Sequence, residues 1–548
     1  LKRPGLKVIR AKSAGHPRDP PGPSLRAPPL AMAASGSASA AAAAEPRPGP
    51  AQEKEQQRGL FSRSGSLGSA GGEKRRSEYE REPVPEGALR SWVSFLAIFT
   101  GRHTAGTEFT IGPLFVVHGA RAMDVLLGLF LGNILATLTW RFVVAPLAVR
   151  KRLTTFYLVE RVCGAKAKTV YSLVGGLILA VISGAMFAVS GTAVGVLFEV
   201  DMPGLNDFLP DSWAWVGVVV LCGAVTSLTA AFGYDVVSRF SMLITPYMIA
   251  VVIYFGVRSL QLLEVDSVEA FWRVANEKVW TGQTRGGYSR YGLGHCVCAG
   301  WFVDLVLHFG QLDQTILRYG KTASVGWCSA SGMFIGHYFT WIVAGLLYAV
   351  QLQDDPTNES VAPGPMAKHV AGINGLICII LAGWSTANPC MYEAGLALQS
   401  VLGSRWSTPT VTLGLGVVGT AAALFPVVVM KVLEALAFGG LLLLPVGVVL
   451  VVDTLVLPRL GLDSERCADE AGSTNWPAAA AWAVTVAVEL PPVVAGKLAV
   501  FFAPLVGIPL AALLYVGLSC WSARRSAHSA DAVASEAPPG VAPREEQV

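Results

Sequence analysis

The residues of this chain best suited to chemistry lie inside stretches that otherwise suit hydrocarbon. An apolar run beginning at Phe95 is interrupted by Gly101-Arg102-His103-Thr104-Ala105-Gly106-Thr107-Glu108 before it resumes towards Pro113. A second run, from Gly294 to Gly310, carries Asp304 and His308 at the same kind of depth. A third, Leu381-Ala-Gly-Trp-Ser-Thr-Ala-Asn-Pro389, holds a Ser385-Thr386 pair. Two hydroxyl oxygens, joined by carbonyls of an unwound helix, suit a small hard cation. Pro389 has no amide hydrogen, so a carbonyl near Ser385 loses its helical donor and becomes a spare oxygen ligand.

The charges among these residues carry separate expectations. A cation held ~5 Å from the Arg102 guanidinium would be repelled by about 3 kcal/mol at an effective dielectric near 20. Arg102 therefore either points towards an aqueous vestibule or takes the place of the cation. Glu108 is a candidate partner for Arg102 across an unwound turn. Asp304, one turn before His308, either orients that ring or faces the vestibule. His103 and His308 titrate near neutrality, and His308 is a candidate for a ring contact or a coupling proton; the alternative for it is a hydrogen bond to a neighbouring carbonyl. Cys296-Val-Cys298 is half a metal motif without a second half, and membrane cysteines commonly serve as small hydrophobes. With no nucleophile elbow, phosphate loop or zinc-protease signature, the chain is not expected to be an enzyme, nor to hold a cofactor or any metal beyond a coupling Na+.

What must position these residues follows from composition. The chain has 548 residues, 52% of them hydrophobic and 15% charged, against about 25% charged in soluble domains. The formal net charge of +4 gives no case for nucleic acid. An all-α integral membrane protein is expected, with twelve spans near 91–117, 123–148, 169–198, 213–233, 236–259, 292–316, 324–350, 369–400, 409–428, 431–453, 476–494 and 498–521. Residues 1–88, rich in Pro, Ala, Gly, Ser and Arg, read as a disordered basic cytoplasmic tail, and 523–548 as a second disordered tail. Within the first, Lys74-Arg75-Arg76-Ser77 is the positive flank of the first span or a phosphorylation site. Basic residues cluster before span one and after spans two, six, eight and twelve, so both termini are expected in the cytoplasm. The sequon Asn358-Glu359-Ser360 then lies outside. The interrupted first and sixth spans each open a block of five. Paired broken helices of that kind mark an inverted-repeat transporter, with the site at the breaks. The blocks are 89–260 and 261–453, followed by two peripheral helices in 454–522.

Several segments resemble the nucleobase:cation symporter family of purine and cytosine permeases, nearest its cytosine-permease branch. They include Leu127–Asn133, Arg152–Phe156 with Glu160, Arg161 and Gly164, Gly184–Ala188, Leu317–Lys321, Trp384–Asn388 with Tyr392 and Gly395, and Gly447–Asp453. The resemblance implies a leucine-transporter-type fold with two inverted five-helix repeats. It also implies alternating access and import of a nucleobase, such as cytosine or a purine, coupled to Na+ or H+. An allantoin-, hydantoin- or vitamin-like heterocycle is the alternative cargo, and a transporter-like nutrient sensor the alternative role. Carried over by position, the ion site falls on Gly101, Thr104, Ala382, Ser385 and Thr386, with Arg102 beside it. The substrate site falls on Thr107, Ile178, Val181, Val306, His308 and Asn388. Ile178, Val181 and Val306 replace the amide and aromatic residues of the family pattern, so stacking would fall to Phe187, Phe309, Trp301 or Trp384. The expected surroundings are the bilayer of the plasma membrane, with a small heterocyclic solute and no obligate protein partner.

Overall fold

The computed structural model describes residues 78–203, 207–210, 212–468 and 472–536. Most of the 1–88 tail assignment and residues 537–548 of the C-terminal one lie outside these, as does the Lys74–Ser77 motif. Every named element is helical, and among the described residues strand pairing is limited to isolated bridges.

The first span is two helices, α1 (Trp92–His103) and α2 (Glu108–Val117). There follow α3 (Ala122–Lys151), α4 (Thr155–Cys163), α5 (Ala165–Leu197), α6 (Trp213–Ala231), α7 (Tyr234–Leu262) and the short α8 (Val268–Val274). The sixth span is again divided, into α9 (Leu293–Phe302) and α10 (Gln314–Leu317). Then come α11 (Ala323–Asp354), α12 (Pro363–Leu402), α13 (Thr408–Ala423), α14 (Val427–Leu455), α15 (Trp476–Val494) and α16 (Pro504–Glu536). Among the described residues nine helices are long and apolar enough to cross a membrane. The two broken spans and α13 complete the twelve. Leu221, Leu243, Val417 and Leu513 are among the large apolar side chains left exposed, as an integral multi-pass membrane protein requires of surface that meets lipid.

Two sets of helices pack closely within themselves, and α7 packs against members of both, α12 on one side and α1 and α11 on the other. α5 runs along α12, α6 packs on α13, and α5 also meets α6 and α13. In the second set, α9 packs on α3, α2 on α11, and α1 on the middle of α11. Close approach rests on small residues: a Cβ on Gly132 of α3 would lie 2.9 Å from the Gly300 Cα of α9, the small-to-small contact that membrane helices favour.

Three boundaries differ from the sequence expectation. Residues 78–88 are not a free tail: the Arg318 guanidinium donates to the Glu78 and Tyr79 carbonyls, both at 2.7 Å, and Tyr392 donates to the Glu78 carboxylate at 3.0 Å. Arg318 is fully buried and needs acceptors, which that segment supplies. Burial raises the Glu78 pKa, with the Tyr392 bond and the Arg318 charge opposing. Residues 523–536 continue the last helix, because nothing in Ala523-Arg-Arg-Ser-Ala-His breaks it. α12 starts before residue 369, at Pro363, and turns at Gly372, whose φ of +57° suits glycine.

Outside the bilayer, Lys151 and Arg161 both donate to Glu465, tying the α14–α15 connection to the end of α3 and to α4. Burial acts to raise the Glu465 pKa, but the bonds to Lys151 and Arg161 outweigh it and leave it lowered from 4.5. A depressed carboxylate stabilises the fold above its unfolded pKa and loses that contribution as pH falls through the folded value. Glu465→Gln is therefore expected to lower the melting temperature in detergent at pH 7, with the gap to the parent protein narrowing once pH drops below 4.5. A gap that stays constant down to acid pH would remove this account.

Candidate functional site

The break in the first span begins where Thr104 leaves helical geometry, with φ −88° and ψ 54°. Its amide and hydroxyl both bond the Thr100 carbonyl, at 2.9 and 2.8 Å, and the amides of residues 105–107 follow without helical pairing. The carbonyls of Gly101 and Arg102 consequently lose the amide donors that a continuous helix would bring from four residues on. The eighth span supplies replacements. Ser385 Oγ donates to the Gly101 carbonyl at 2.7 Å, and Thr386 Oγ1 to the Arg102 carbonyl at 2.6 Å. Both hydroxyls also lie near the Ala382 carbonyl, at 3.0 and 3.2 Å. Gly101, Arg102, Ala382, Ser385 and Thr386 are thus brought together as the sequence suggests. The Thr104 hydroxyl is committed to its own helix. The oxygen set, two freed carbonyls with two hydroxyls, matches the ligand preference of a hard monovalent or divalent cation.

The break in the sixth span covers residues 303–313, and its backbone finds partners within the protein. The Gly310 amide bonds the Leu305 carbonyl at 2.8 Å and the Asp313 amide that of Leu307 at 3.1 Å. Tyr171 donates to the Gly310 carbonyl and Thr155 to that of Gln311, the latter at 2.6 Å. Gln311 takes φ +67° to make the turn. Irregular backbone at membrane depth survives when buried in protein this way.

Arg102 does neither of the things expected of it. Its guanidinium bonds Asp313 Oδ1 at 2.6 Å and Glu393 Oε2 at 2.8 Å, with relative side-chain exposures of 3%, 1% and 0% for the three residues. The other Asp313 oxygen accepts from Trp140 Nε1 at 2.6 Å. One cation therefore joins the first span to the end of the sixth break and to the eighth span, and two carboxylates offset the repulsion that the sequence alone suggested. Glu108 is not its partner: Glu108 accepts from the Trp341 indole and faces His337 at 3.8 Å. Asp304 faces His103 at 3.2 Å rather than holding His308.

His308 is fully buried with both ring nitrogens taken, Nε2 by the Trp301 carbonyl at 2.7 Å and Nδ1 by the Phe309 amide at 2.7 Å. Its ring meets that of Trp140 edge-on at 4.8 Å. Thr107 lies in the first break, where its carbonyl accepts from Thr110 and Ile111 at 2.8 Å. Val306 is fully buried in the second break. Ile178 packs on Gly439 of α14, leaving no room there for a Cβ, and Val181 is half-buried on α5. Asn388 is fully buried, and neither amide atom finds a partner among the described residues. No hydrogen bond described joins any two of these six residues. Of the aromatic candidates, Trp384 packs on Phe240 at 4.6 Å, Trp301 stacks on Phe302 at 4.4 Å, Phe309 lies 6.2 Å from Trp301, and Phe187 is buried against Gly419. Cys296 and Cys298 are free thiols.

Sequence reasoning missed Asp313, Glu393, Trp140 and His337. Glu393 had a readable signal, standing seven residues after Thr386 and hence on one helical face with it. Trp140 and His337 sit in π-helical turns, Trp140–Val144 and Gly332–Phe339, which shift the facing side chains and frequently mark functional sites.

In fold, the chain is similar to several solved structures. One is Mhp1, a nucleobase-cation-symport-1 family transporter, in a closed conformation with bromovinylhydantoin bound: TM-score 0.64, 16% identity, covering 81% of this chain and 96% of that one. The inward-facing conformation of Mhp1 gives 0.61 at 16% identity, covering 84% and 96%. A Na+-coupled sialic acid symporter in a substrate-bound outward-open state gives 0.59 at 13%, covering 82% and 93%. No family model matches the chain, and no curated protein matches it in sequence. The likeness establishes the fold: all-α, of the leucine-transporter type, with its two repeats opening on broken helices.

The Arg102 contacts make a stability prediction. Truncating one member of a buried ion-pair group leaves charge uncompensated, at a cost of about 3–5 kcal/mol. Arg102→Ala should lower the melting temperature strongly. Restoring charge balance in Arg102→Ala/Glu393→Gln should recover part of the loss. A double variant no more stable than the single one would show that these groups do not act together.

Proposed function

We propose that this protein is a secondary active symporter that imports a small nucleobase-like heterocycle, such as cytosine or a purine, together with Na+ or H+. The observation that carries the reading is the pairing of two buried breaks, one opening each five-span block, with the first held to the eighth span through Gly101, Arg102, Ser385 and Thr386. Freed carbonyls opposite hydroxyls are the parts from which a coupling-ion site is built, and paired helix breaks are where transporters of this fold place their solute. Gly101, Ala382, Ser385 and Thr386, with the Thr104 backbone, would bind the ion, and Arg102 would act through Asp313 and Glu393 rather than as a surrogate cation. Thr107, Ile178, Val181, Val306, His308 and Asn388 form the proposed solute surface. Asn388 is the polar member with free hydrogen-bonding capacity to offer a ring edge, since His308 is already engaged.

One observation favours a hydantoin- or allantoin-like ring as the alternative cargo: Ile178, Val181 and Val306 offer apolar surface and little stacking area. The similar Mhp1 structure holds bromovinylhydantoin. Uptake of labelled bases and of a hydantoin into a permease-deficient host, measured with and without sodium, tests the reading. Accumulation is expected, and Ser385→Ala/Thr386→Ala should weaken sodium dependence roughly tenfold or more, the consequence of losing a ligand worth about 1.5–3 kcal/mol. Ligand binding without accumulation would point instead to a nutrient sensor.

We also propose a plasma-membrane location with both termini in the cytoplasm. Asn358 is exposed in the loop after α11, on the side that the charge pattern assigns outside. Asn358→Gln should abolish a glycosidase-sensitive mobility shift in a eukaryotic host; a shift that persists in the variant would contradict the orientation.

A further inference from the structure

A cluster adjoining the Arg102 contacts remains without a role. His103 ends α1, Asp304 lies in the second break, and His337 sits in the π-helical part of α11. His103 Nδ1 is 3.2 Å from His337 Nε2 and 3.2 Å from Asp304 Oδ2, and the latter two atoms are 3.7 Å apart. Glu108 Oε1 stands 3.8 Å from His337 Nε2. All four side chains are buried, Asp304 retaining 8% exposure.

Hydrogen bonding alone serves this triangle poorly. Two imidazole nitrogens face each other, so one proton satisfies both, and Asp304 Oδ2 is left without a bonded donor among the described residues. A buried carboxylate oxygen in that position is costly. The spacing instead fits the face of a coordination polyhedron: ligands about 2.1 Å from a tetrahedral ion stand about 3.4 Å from one another. The observed edges bracket that value. Two imidazoles with a carboxylate suit borderline transition ions and not Mg2+ or Ca2+, which prefer oxygen. The rings are fixed by aromatic faces: His337 stacks on Trp341 at 4.6 Å and His103 on Phe99 at 6.0 Å. Trp341 also donates to Glu108, so the indole that backs the His337 ring is itself held by a buried carboxylate, the supporting role that outer-shell groups play in metal sites.

We propose that His103, Asp304 and His337 bind a divalent transition-metal ion of the zinc class. Such an ion ties both breaks to α11. It is separate from the oxygen set around Ser385 and Thr386, and does not depend on what the protein transports.

The full chain, purified through a tag without histidine and stripped with chelator, would be dialysed against zinc and its metal content measured. About one tightly held zinc per chain is expected, with a melting temperature raised by zinc and unmoved by magnesium. Asp304→Asn and His337→Ala should each weaken zinc binding at least tenfold. His369→Gln, which removes the exposed His369–Asp354 pair (2.8 Å apart), should leave binding unchanged. Should either cluster variant fail to fold, X-ray absorption on the zinc-loaded parent protein decides, with a nitrogen and oxygen shell showing imidazole scattering expected. No retained zinc, a sulfur shell, or loss of binding in His369→Gln with retention in Asp304→Asn would overturn the proposal, the first leaving a proton as the cluster's occupant.

Discussion

A carbonyl oxygen stripped of its amide partner inside a bilayer has no water to turn to, and this constraint organises the centre of the molecule. Unwinding residues 104–107 exposes the oxygens of Gly101 and Arg102, and each exposed oxygen must meet a donor at a fixed distance. Ser385 and Thr386 meet them, which fixes the rotation of the eighth span against the first. Once that register is set, Glu393, two turns further along α12, reaches the guanidinium of Arg102. Asp313 reaches the same guanidinium from the far end of the second break. The two irregular segments are thus connected through one side chain, and the longest helix pair of the structure, α5 with α12, holds the arrangement from behind.

Much of this was legible in the sequence, for reasons that differ by level. Span number follows from length and hydropathy because a bilayer imposes both, and all twelve were found with modest errors at their ends. The breaks were visible because glycines and charges cluster where apolar residues belong. The Ser385-Thr386 contact with Gly101 was visible only through the family resemblance, since spacing says nothing about which carbonyl a hydroxyl will meet. The partners of Arg102 are harder to read: Asp313 stands in a segment whose path depends on a positive φ at Gln311, and Glu393 shares a helical face with Thr386 without anything in the spacing that names Arg102 as its partner. Trp140 and His337 depend on π-helical turns, which shift register by a residue and leave no periodic trace. Residues 78–88 illustrate the same limit. Their composition is that of a tail, and it is the need of buried Arg318 for acceptors that holds them in place.

The distribution of charge around the breaks shows how a membrane protein tolerates so many ionisable groups at depth. The groups occur in two compact sets: Arg102 with Asp313 and Glu393, and His103 with Asp304, His337 and Glu108. Each set contains both proton acceptors and groups able to carry positive charge, so neither presents an isolated ion to the interior. Trp140 stands between them, donating to Asp313 while its ring lies against His103 at 5.7 Å. The two sets are therefore mechanically coupled through one indole, and movement of the second break would be felt by both.

Under the proposed symport, this coupling acquires a direction. Arg102 belongs to the group of α1, α2, α3, α9 and α11, while Glu393 belongs to the opposing group with α5, α6 and α13. An ion pair across that boundary is strong while dry, because the attraction between unit charges rises as the local dielectric falls. Admitting water between the groups weakens the pair and solvates its members together. On that reading, closed and open states would differ in the hydration of these three side chains. The hydroxyl-to-carbonyl contacts behave alike, since each donor that leaves a carbonyl is replaced by water or by an ion. Contacts of this kind are exchangeable, since each carbonyl keeps a partner whether a hydroxyl, a water or an ion stands opposite it.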